Sequence, residues 1–144
     1  YLHNEWSPNP TTRATDYELA TSFEEWTATL PHWPQFMYAD PAAASFREEL
    51  LRRNITTHRA DNKVLDGIRL VDSLLMSDQL KIHADCTHLL DELPGYVWDA
   101  KAAERGEDKP IKEHDDHVDA LRYVCASSRH LWRPLLTAPA PTPA

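Results

Sequence analysis

The chain has 144 residues, 42% of them hydrophobic and 26% charged, which is typical of one soluble globular domain. Its formal net charge of -8 excludes a protein that coats DNA with a basic surface, but it is compatible with an enzyme whose carboxylates hold metal ions. Two cysteines are too few for a disulfide framework and favour a reducing compartment. No apolar run approaches the roughly 20 residues that cross a bilayer, so we expect a cytoplasmic protein.

The first part of the chain alternates between predicted strands and helices. In chain order, the predicted elements are a strand at residues 1–6, a helix at 16–30, a strand at 35–40, a helix at 41–54 and a strand at 55–59. Thr15 or Asp16 is the predicted cap of the first helix, and Asp40 that of the second, with Pro41 in its first turn. Since the strand pattern is already under way at residue 1, we expect the chain to begin inside a longer sequence.

The second part continues the alternation and predicts an α/β fold. In chain order, it contains a helix at residues 64–76, a strand at 80–83, a helix at 87–93, an extended edge at 96–98, a loop or hairpin at 102–113 and a helix from Asp115 or Asp116 to Trp132. Residues 134–144 form a tail rich in proline and alanine. No glycine-rich nucleotide-binding loop is present, so we place any ATPase part outside this chain.

Three aspartates stand together where the last helix begins, at Asp115, Asp116 and Asp119. Spacings of three and four residues place carboxylates on one helix face, where like charges repel unless a cation neutralises them. Hard divalent ions such as Mg²⁺ or Mn²⁺ take oxygen ligands and suit such a cluster. The alternative is that Asp115 and Asp116 cap the helix, because the helix dipole favours acids at its N-terminus.

Asp40 is the second candidate for a metal-binding carboxylate. It ends an apolar strand directly before Pro41, and the carboxyl ends of strands are common positions for functional residues in open α/β sheets. The alternative is an ordinary helix N-cap, and the spacing leaves both interpretations open.

A weaker pattern combines histidines with a cysteine. His83, Cys86 and His88 could form part of a zinc site, with His58 and His114 recruited from elsewhere, although no second pair has typical zinc-ligand spacing. Surface histidines around a buried cysteine are the alternative.

Arginines gather in two groups that could follow a phosphate backbone. The first group is Arg47, Arg52, Arg53 and Arg59, and the second is Arg122, Arg129 and Arg133. Solvation and ion pairing on helix surfaces are the alternative for both groups.

Together these motifs resemble the large subunits of phage terminases. Tyr38 to Ala43, which reads Tyr-Ala-Asp-Pro-Ala-Ala, is similar to the family's second acidic motif, and residues 60–68 are similar to the helix entry that follows it. Cys86, Glu92, Tyr96 and the pair Trp98-Asp99 stand at the family's typical spacing. Residues 110–123, which read Pro-Ile-Lys-Glu-His-Asp-Asp-His-Val-Asp-Ala-Leu-Arg-Tyr, resemble its closing acidic motif.

The resemblance implies an RNase H-like fold, a mixed sheet flanked by helices. Residues 1–133 would be the C-terminal part of the nuclease domain. The first strands of the fold, with the family's first catalytic aspartate, and the ATPase domain would lie outside this chain. The implied activity is cutting of concatemeric duplex DNA by an endonuclease that uses two Mg²⁺ or Mn²⁺ ions. By itself, the fragment is expected to bind metal weakly and to cut poorly or not at all.

The resemblance also implies roles for single residues. Asp40 would be the second catalytic acid, Asp116 and Asp119 would form the third acidic motif, and all three would bind metal with Asp115 as a helper. His117 would assist proton transfer or orient a ligand. Basic residues of the closing motif would contact DNA, namely Lys112 and Arg122.

The implied partners are duplex DNA, the terminase ATPase domain, the small terminase subunit and the portal, in the host cytoplasm. Two other functions stay open at this point. The chain could be a fragment of another RNase H-like nuclease or transposase, or it could be a docking module without catalytic activity.

Overall fold

The computed structural model describes residues 1–9, 11–95 and 115–136. Its elements, in chain order, are α1 (Asp16–Ala28), β1 (Tyr38–Ala39), α2 (Ala44–Arg52), β2 (His58–Arg59), α3 (Val64–Met76), α4 (Thr87–Glu92), α5 (Asp116–Ser127) and α6 (Arg129–Trp132), with 3-10 turns at Leu93–Gly95 and Arg133–Leu135. The predicted α/β alternation is confirmed. The predicted edge at 96–98, the predicted loop at 102–113 and residues 137–144 of the predicted tail lie outside the described residues.

The strand pairings of the described residues are parallel. β1 pairs with β2 so that Tyr38 lies opposite His58 and Ala39 opposite Arg59. A single parallel bridge joins Leu2 to Ile82, so the strands predicted at 1–6 and 80–83 are reduced to this one bridge. Parallel partners need a crossover connection, and α2 supplies the one between β1 and β2.

Local capping explains where α1 begins. The Thr15 hydroxyl accepts a hydrogen bond from the Glu18 backbone N–H at 3.2 Å, and the Glu18 carboxylate accepts one from the Thr15 N–H at 2.8 Å. This reciprocal pair is a capping box, which satisfies backbone donors that a helix start leaves unpaired. The sequence therefore predicted this helix start correctly.

The start of α2 differs from the prediction. The helix begins at Ala44, with Ala43 at the N-cap, three residues later than predicted. Asp40 instead closes a turn, since its Oδ1 accepts from the Ala42 N–H at 2.9 Å and its carbonyl from the Ala43 N–H at 3.0 Å. The prediction that Asp40 caps this helix is wrong. The other carboxylate oxygen of Asp40, Oδ2, takes no part in this turn.

The hydrophobic core has two clusters of buried side chains. The larger one joins α3, α4 and α5, and it contains Val71, Leu74, Cys86, Leu89, Val118, Leu121 and Cys125. The smaller one joins α1 and α2 and contains Ala20, Leu50 and Ile55. Because α5 packs into the larger cluster, it is held in place beside β1 and α4.

The last predicted helix is broken into two. α5 ends at Ser127, and the indole N–H of Trp132 donates to the Cys125 carbonyl at 2.9 Å, which folds α6 back on α5. In the part of the chain that the structure describes, no helix is long and apolar enough to span a bilayer.

Candidate metal centre

The start of α5 is capped by a side chain from another helix. Oε2 of Glu92, the last residue of α4, accepts the backbone N–H of His117 at 2.8 Å and that of Val118 at 3.0 Å. Its Oε1 accepts from Nδ1 of His117 at 2.5 Å. These are the orphan donors that a helix N-terminus presents. Glu92 therefore performs the capping that the sequence assigned to Asp115 or Asp116.

Asp115 is left without a capping role. It occupies the N-cap position of α5, but its side chain makes no capping hydrogen bond within the described residues. Its Oδ2 is buried and has no hydrogen-bond partner in that part of the chain. An unpaired buried carboxylate oxygen costs free energy, whereas a divalent cation takes such oxygens as ligands. The residues present therefore fit a bound metal ion better than a helix cap.

Asp119 is held in place by Arg122. The guanidinium donates to Oδ1 of Asp119 from Nε at 3.2 Å and from Nη2 at 2.5 Å, and its Nη1 donates to the Lys63 carbonyl at 3.4 Å. Arg122 is only 2% exposed, and it packs directly against Gly67 of α3. The guanidinium of Arg122 is therefore engaged inside the fold, and the assignment of Arg122 as a DNA contact stays a prediction. Lys112, the other assigned contact, lies outside the described residues.

Tyr123 connects the acidic helix to β1. Its O–H donates to Oδ2 of Asp40 at 3.2 Å. Burial raises the pKa of Tyr123 to about 12, and the charges of Asp119 and Asp40 act in the same direction. The phenol therefore stays protonated and keeps donating. Asp119 lies one helical turn before Tyr123 on the same face of α5, so this hydrogen bond connects Asp40 to the face of α5 that carries Asp119.

Asp116 lies in the first turn of α5, with its side chain exposed. Asp115 and Asp119 lie at the same helix start, and Asp40 is connected to α5 through Tyr123. The metal-binding roles of these four aspartates stay a prediction, and sequence reasoning assigned no role to Tyr123 or Glu92. Tyr123 follows Asp119 by one helical turn, a spacing that could have indicated it. Glu92 is 25 residues from His117, and no local pattern connects them.

The start of α4 carries a second cap of the same kind. Oε1 of Glu5 accepts from the His88 N–H at 2.7 Å and from His88 Nδ1 at 2.8 Å, and Oε2 accepts from the Leu89 N–H at 3.0 Å. Burial alone would raise the pKa of Glu5, but the backbone hydrogen bonds from His88 and Leu89 outweigh it and lower the pKa. The carboxylate is therefore stabilised in its charged form.

The histidines at the two capped helix starts lie against each other. The His88 and His117 rings stack with their centroids 5.0 Å apart and their planes at 8°. Ligand atoms of Glu5, His88 and His117 lie within 4.8 Å of one another, as a metal site requires. However, the oxygens of Glu5 already accept three hydrogen bonds from His88 and Leu89, so helix capping accounts for this cluster.

The zinc alternative is not supported by the position of its cysteine. Cys86 is fully buried in the larger core cluster, and burial together with the nearby Glu5 and Asp85 charges raises its pKa. Zinc binds the thiolate, which this environment disfavours. His83 is engaged locally, since its Nδ1 accepts from the Asp85 N–H at 3.1 Å.

The two arginine groups differ in their partners and in their exposure. In the first group, Arg47 binds Thr57, whereas Arg53 pairs with Glu24 and Glu49, so ion pairing and packing explain much of it. In the second group, Arg122 is buried, but Arg129 and Arg133 are exposed.

Comparison with known proteins decides the family. The model of the terminase RNase H-like domain matches residues 11–127. The chain belongs to this family. The resemblance to terminase large subunits and the RNase H-like fold that it implied are therefore confirmed.

Named relatives of the family support this assignment. The large terminase subunit of Escherichia phage T5 is 33% identical over 91 residues, which are 60% of this chain and 21% of that protein. The structure of the large terminase of a thermophilic bacteriophage in complex with ADP matches with a TM-score of 0.75 and 37% identity, over 83% of this chain and 30% of that one. A second crystal form of the same terminase gives a TM-score of 0.74 and 38% identity, over 83% and 29%. The terminase domain described here thus spans less than a third of each relative.

Proposed function

We propose that this chain contributes the metal-binding acids of a terminase nuclease, and that the intact large subunit cuts concatemeric duplex DNA by two-metal phosphodiester hydrolysis. The observation that carries the proposal is the buried Oδ2 of Asp115, which has no hydrogen-bond partner among the described residues, at a helix start where Glu92 already accepts two backbone N–H groups. The hydrogen bond from Tyr123 to Asp40 supports it, because it connects the α5 face that carries Asp119 to the end of β1.

Four aspartates would hold the ions, and they are Asp40, Asp115, Asp116 and Asp119. All offer carboxylate oxygens, which Mg²⁺ and Mn²⁺ prefer to nitrogen or sulfur ligands. When bound, two such ions supply activation of a water nucleophile and stabilisation of the charge on the leaving oxygen.

Other residues of the chain position these acids. Tyr123 donates to Asp40 and fixes the direction of its carboxylate, and Arg122 does the same for Asp119. Glu92 holds the helix start itself. It also binds Nδ1 of His117, so only Nε2 of that ring is available for the proton transfer that the resemblance implied.

The proposed partners follow from the terminase family. They are duplex DNA, the ATPase domain, the small terminase subunit and the portal, and the proposed location is the host cytoplasm. Support comes from the relatives, which are large terminase subunits with most of their length outside the part matched by this chain.

Thermal unfolding with and without Mn²⁺ tests the metal site. The three proteins to compare are the unchanged chain, Asp116→Ala, and Glu25→Ala as a control that removes an exposed acid from α1. An ion that binds only the folded state raises stability by mass action. We expect Mn²⁺ to raise the melting temperature of the unchanged chain and the control, but not that of Asp116→Ala. An unchanged chain that does not respond to Mn²⁺ would contradict the site and favour a docking module.

A second test measures cutting in a complete large subunit that contains this chain. Plasmid DNA with Mn²⁺ is the substrate, and Asp40→Asn is the variant. We expect nicking and linearisation to be lost in the variant, while ATP hydrolysis, which belongs to the other domain, is kept. Cutting at the unchanged rate would remove Asp40 from the catalytic set.

A further inference from the structure

A broad groove of about 680 Å³ lies between α3 and the segment formed by the end of α5, α6 and the turn that follows. Cationic and acidic side chains both line it. Among its described lining residues, the cations are Lys63, Arg69, Arg129 and Arg133, and the acids are Asp61 and Asp66. The groove is therefore locally basic, although the whole chain has a net charge of -8.

Two of the cations, Arg129 and Arg133, lie between this groove and a second concavity. Arg129 and Arg133 also line a neighbouring concavity of about 490 Å³, together with His130 and Pro134. They are four residues apart across the short α6, a spacing that places side chains on one face. Both are exposed, so their guanidinium groups are accessible from either concavity.

Hydrogen bonds hold the two sides of the groove in place. On one side, the Asp61 N–H donates to Oγ of Ser127 at 2.8 Å, which ties the approach to α3 to the end of α5. On the other, the bond from Trp132 to the Cys125 carbonyl fixes α6. These bonds fix the two walls of the groove, so the groove is already formed without a bound partner.

The groove begins beside the candidate metal centre. The Lys63 carbonyl accepts from Arg122, and Arg122 holds Asp119. Gly67 lies in the groove wall against the same arginine, where a Cβ atom would come within 3.4 Å of Arg122 Cδ. One buried side chain therefore separates the groove lining from a proposed metal ligand.

We infer that this groove binds the phosphate backbone of duplex DNA and leads it to the acidic centre. Duplex DNA carries about one negative charge per 1.7 Å of axis, so a preformed row of cations gains affinity without reading sequence. Asp61 and Asp66 offset part of this attraction, but the described lining still has four cations against these two acids. The inference rests on the proposed nuclease function and names the surface that its substrate would use.

The test measures binding of a short fluorescein-labelled duplex by anisotropy, in EDTA and at several salt concentrations. Arg129→Gln/Arg133→Gln removes two groove cations. The matched control, Arg13→Gln/Lys81→Gln, removes two exposed cations that lie outside the groove and outside both arginine groups, and it changes the net charge equally. We expect the groove variant to bind about tenfold more weakly or worse, and its salt slope to fall by about 2, since each lost phosphate contact removes about 0.9. The control should bind like the unchanged chain.

Mn²⁺-dependent thermal stabilisation, measured on the same proteins, separates this inference from the proposed metal site. The groove variant should keep that stabilisation, which also shows that it is folded. If it binds DNA as tightly as the control, or if the unchanged chain binds no duplex at low salt, the groove assignment is overturned while the metal site stands. Weakened DNA binding in the groove variant, with no Mn²⁺ effect in any protein, would retain the groove and remove the metal site.

Discussion

The starts of α4 and α5 use the same chemistry in different surroundings. In each helix, a glutamate from elsewhere accepts the N–H groups of the second and third residues and Nδ1 of a histidine at the second residue. The His88 side chain is 61% exposed, whereas those of His117 and Glu92 are 16% and 12% exposed. Of these two helices, only α5 carries acids in its first turn. The same capping arrangement therefore occurs once without neighbouring carboxylates and once beside the proposed metal ligands.

The two caps are also connected in series. Glu5 caps α4, Glu92 at the end of α4 caps α5, and the histidine rings stack on each other. The N-terminal segment is thereby linked to the acidic helix through two carboxylates. If the comparison is right, the second cap matters for metal binding and the first only for stability.

The largest effect is expected from Glu92→Ala. The change leaves two backbone N–H groups and a buried histidine nitrogen without their acceptor, so we expect a loss of about 2–3 kcal/mol in the free energy of unfolding. Mn²⁺ stabilisation should fall as well, because the first turn of α5 carries the proposed ligands. Chemical denaturation with and without Mn²⁺ measures both quantities.

Glu92→Gln is the matched control for this change. An amide keeps one acceptor oxygen, so part of the cap and part of the Mn²⁺ response should return. Equal loss of Mn²⁺ response in both variants, together with full stability in the glutamine variant, would mean that Glu92 acts through its charge and not by holding the helix start.

Glu5→Ala is expected to cost less, about 1 kcal/mol, because water can reach the exposed His88 side of the cap. The Mn²⁺ response should be unchanged. The pKa of Glu5 is lowered in the folded state. The contribution of Glu5 to the free energy of unfolding is therefore present above the ordinary pKa of 4.5 and is lost as the pH falls below that value. When the free energy of unfolding is measured against pH, it should fall less on acidification in Glu5→Ala than in the unchanged chain. A reduced Mn²⁺ response at neutral pH would break the distinction between the two caps.

Tyr123→Phe tests the Asp40 side of the proposed site, which neither glutamate cap contacts. It removes the hydrogen bond to Asp40 without changing the size of the ring, and we expect Mn²⁺ affinity to fall by up to about tenfold. Tyr17→Phe, at an exposed tyrosine on α1, is the control and should have no effect. A full Mn²⁺ response in Tyr123→Phe would show that Asp40 is oriented without the phenol.

The smallest effects are expected in the rates of cysteine labelling. Burial raises the pKa of Cys125 to about 11 and also raises that of Cys86, so neither thiol should react with a maleimide in the native protein at neutral pH. Cys86 precedes α4 and Cys125 lies in α5, so each reports on one helix. Glu5→Ala should speed labelling of Cys86, and Glu92→Ala that of Cys125. Equal acceleration of both thiols would show that the two helices open together.

Elements with strong local signals were predictable. The α3 helix has the predicted bounds, Val64–Met76, because its apolar spacing is regular over its whole length. The start of α1 followed from Thr15, one of its two predicted caps, and the structure adds Glu18 as the second half of a capping box. Elements that depend on distant partners were less well predicted, such as the strand at residues 80–83, of which one bridge to Leu2 is found.

The sequence by itself determined which residue types are available: four aspartates in two motifs, the amphipathic helices and the order of elements that belongs to the terminase family. Only the tertiary structure decided their roles. Asp115 is released from capping by Glu92, and Arg122 is buried against Gly67, where it holds Asp119. The physical reason is that several side chains can accept the same backbone N–H groups or pair with the same charge. Sequence spacing reveals the side chains within one helical turn that can do so, but not those that folding brings from another helix.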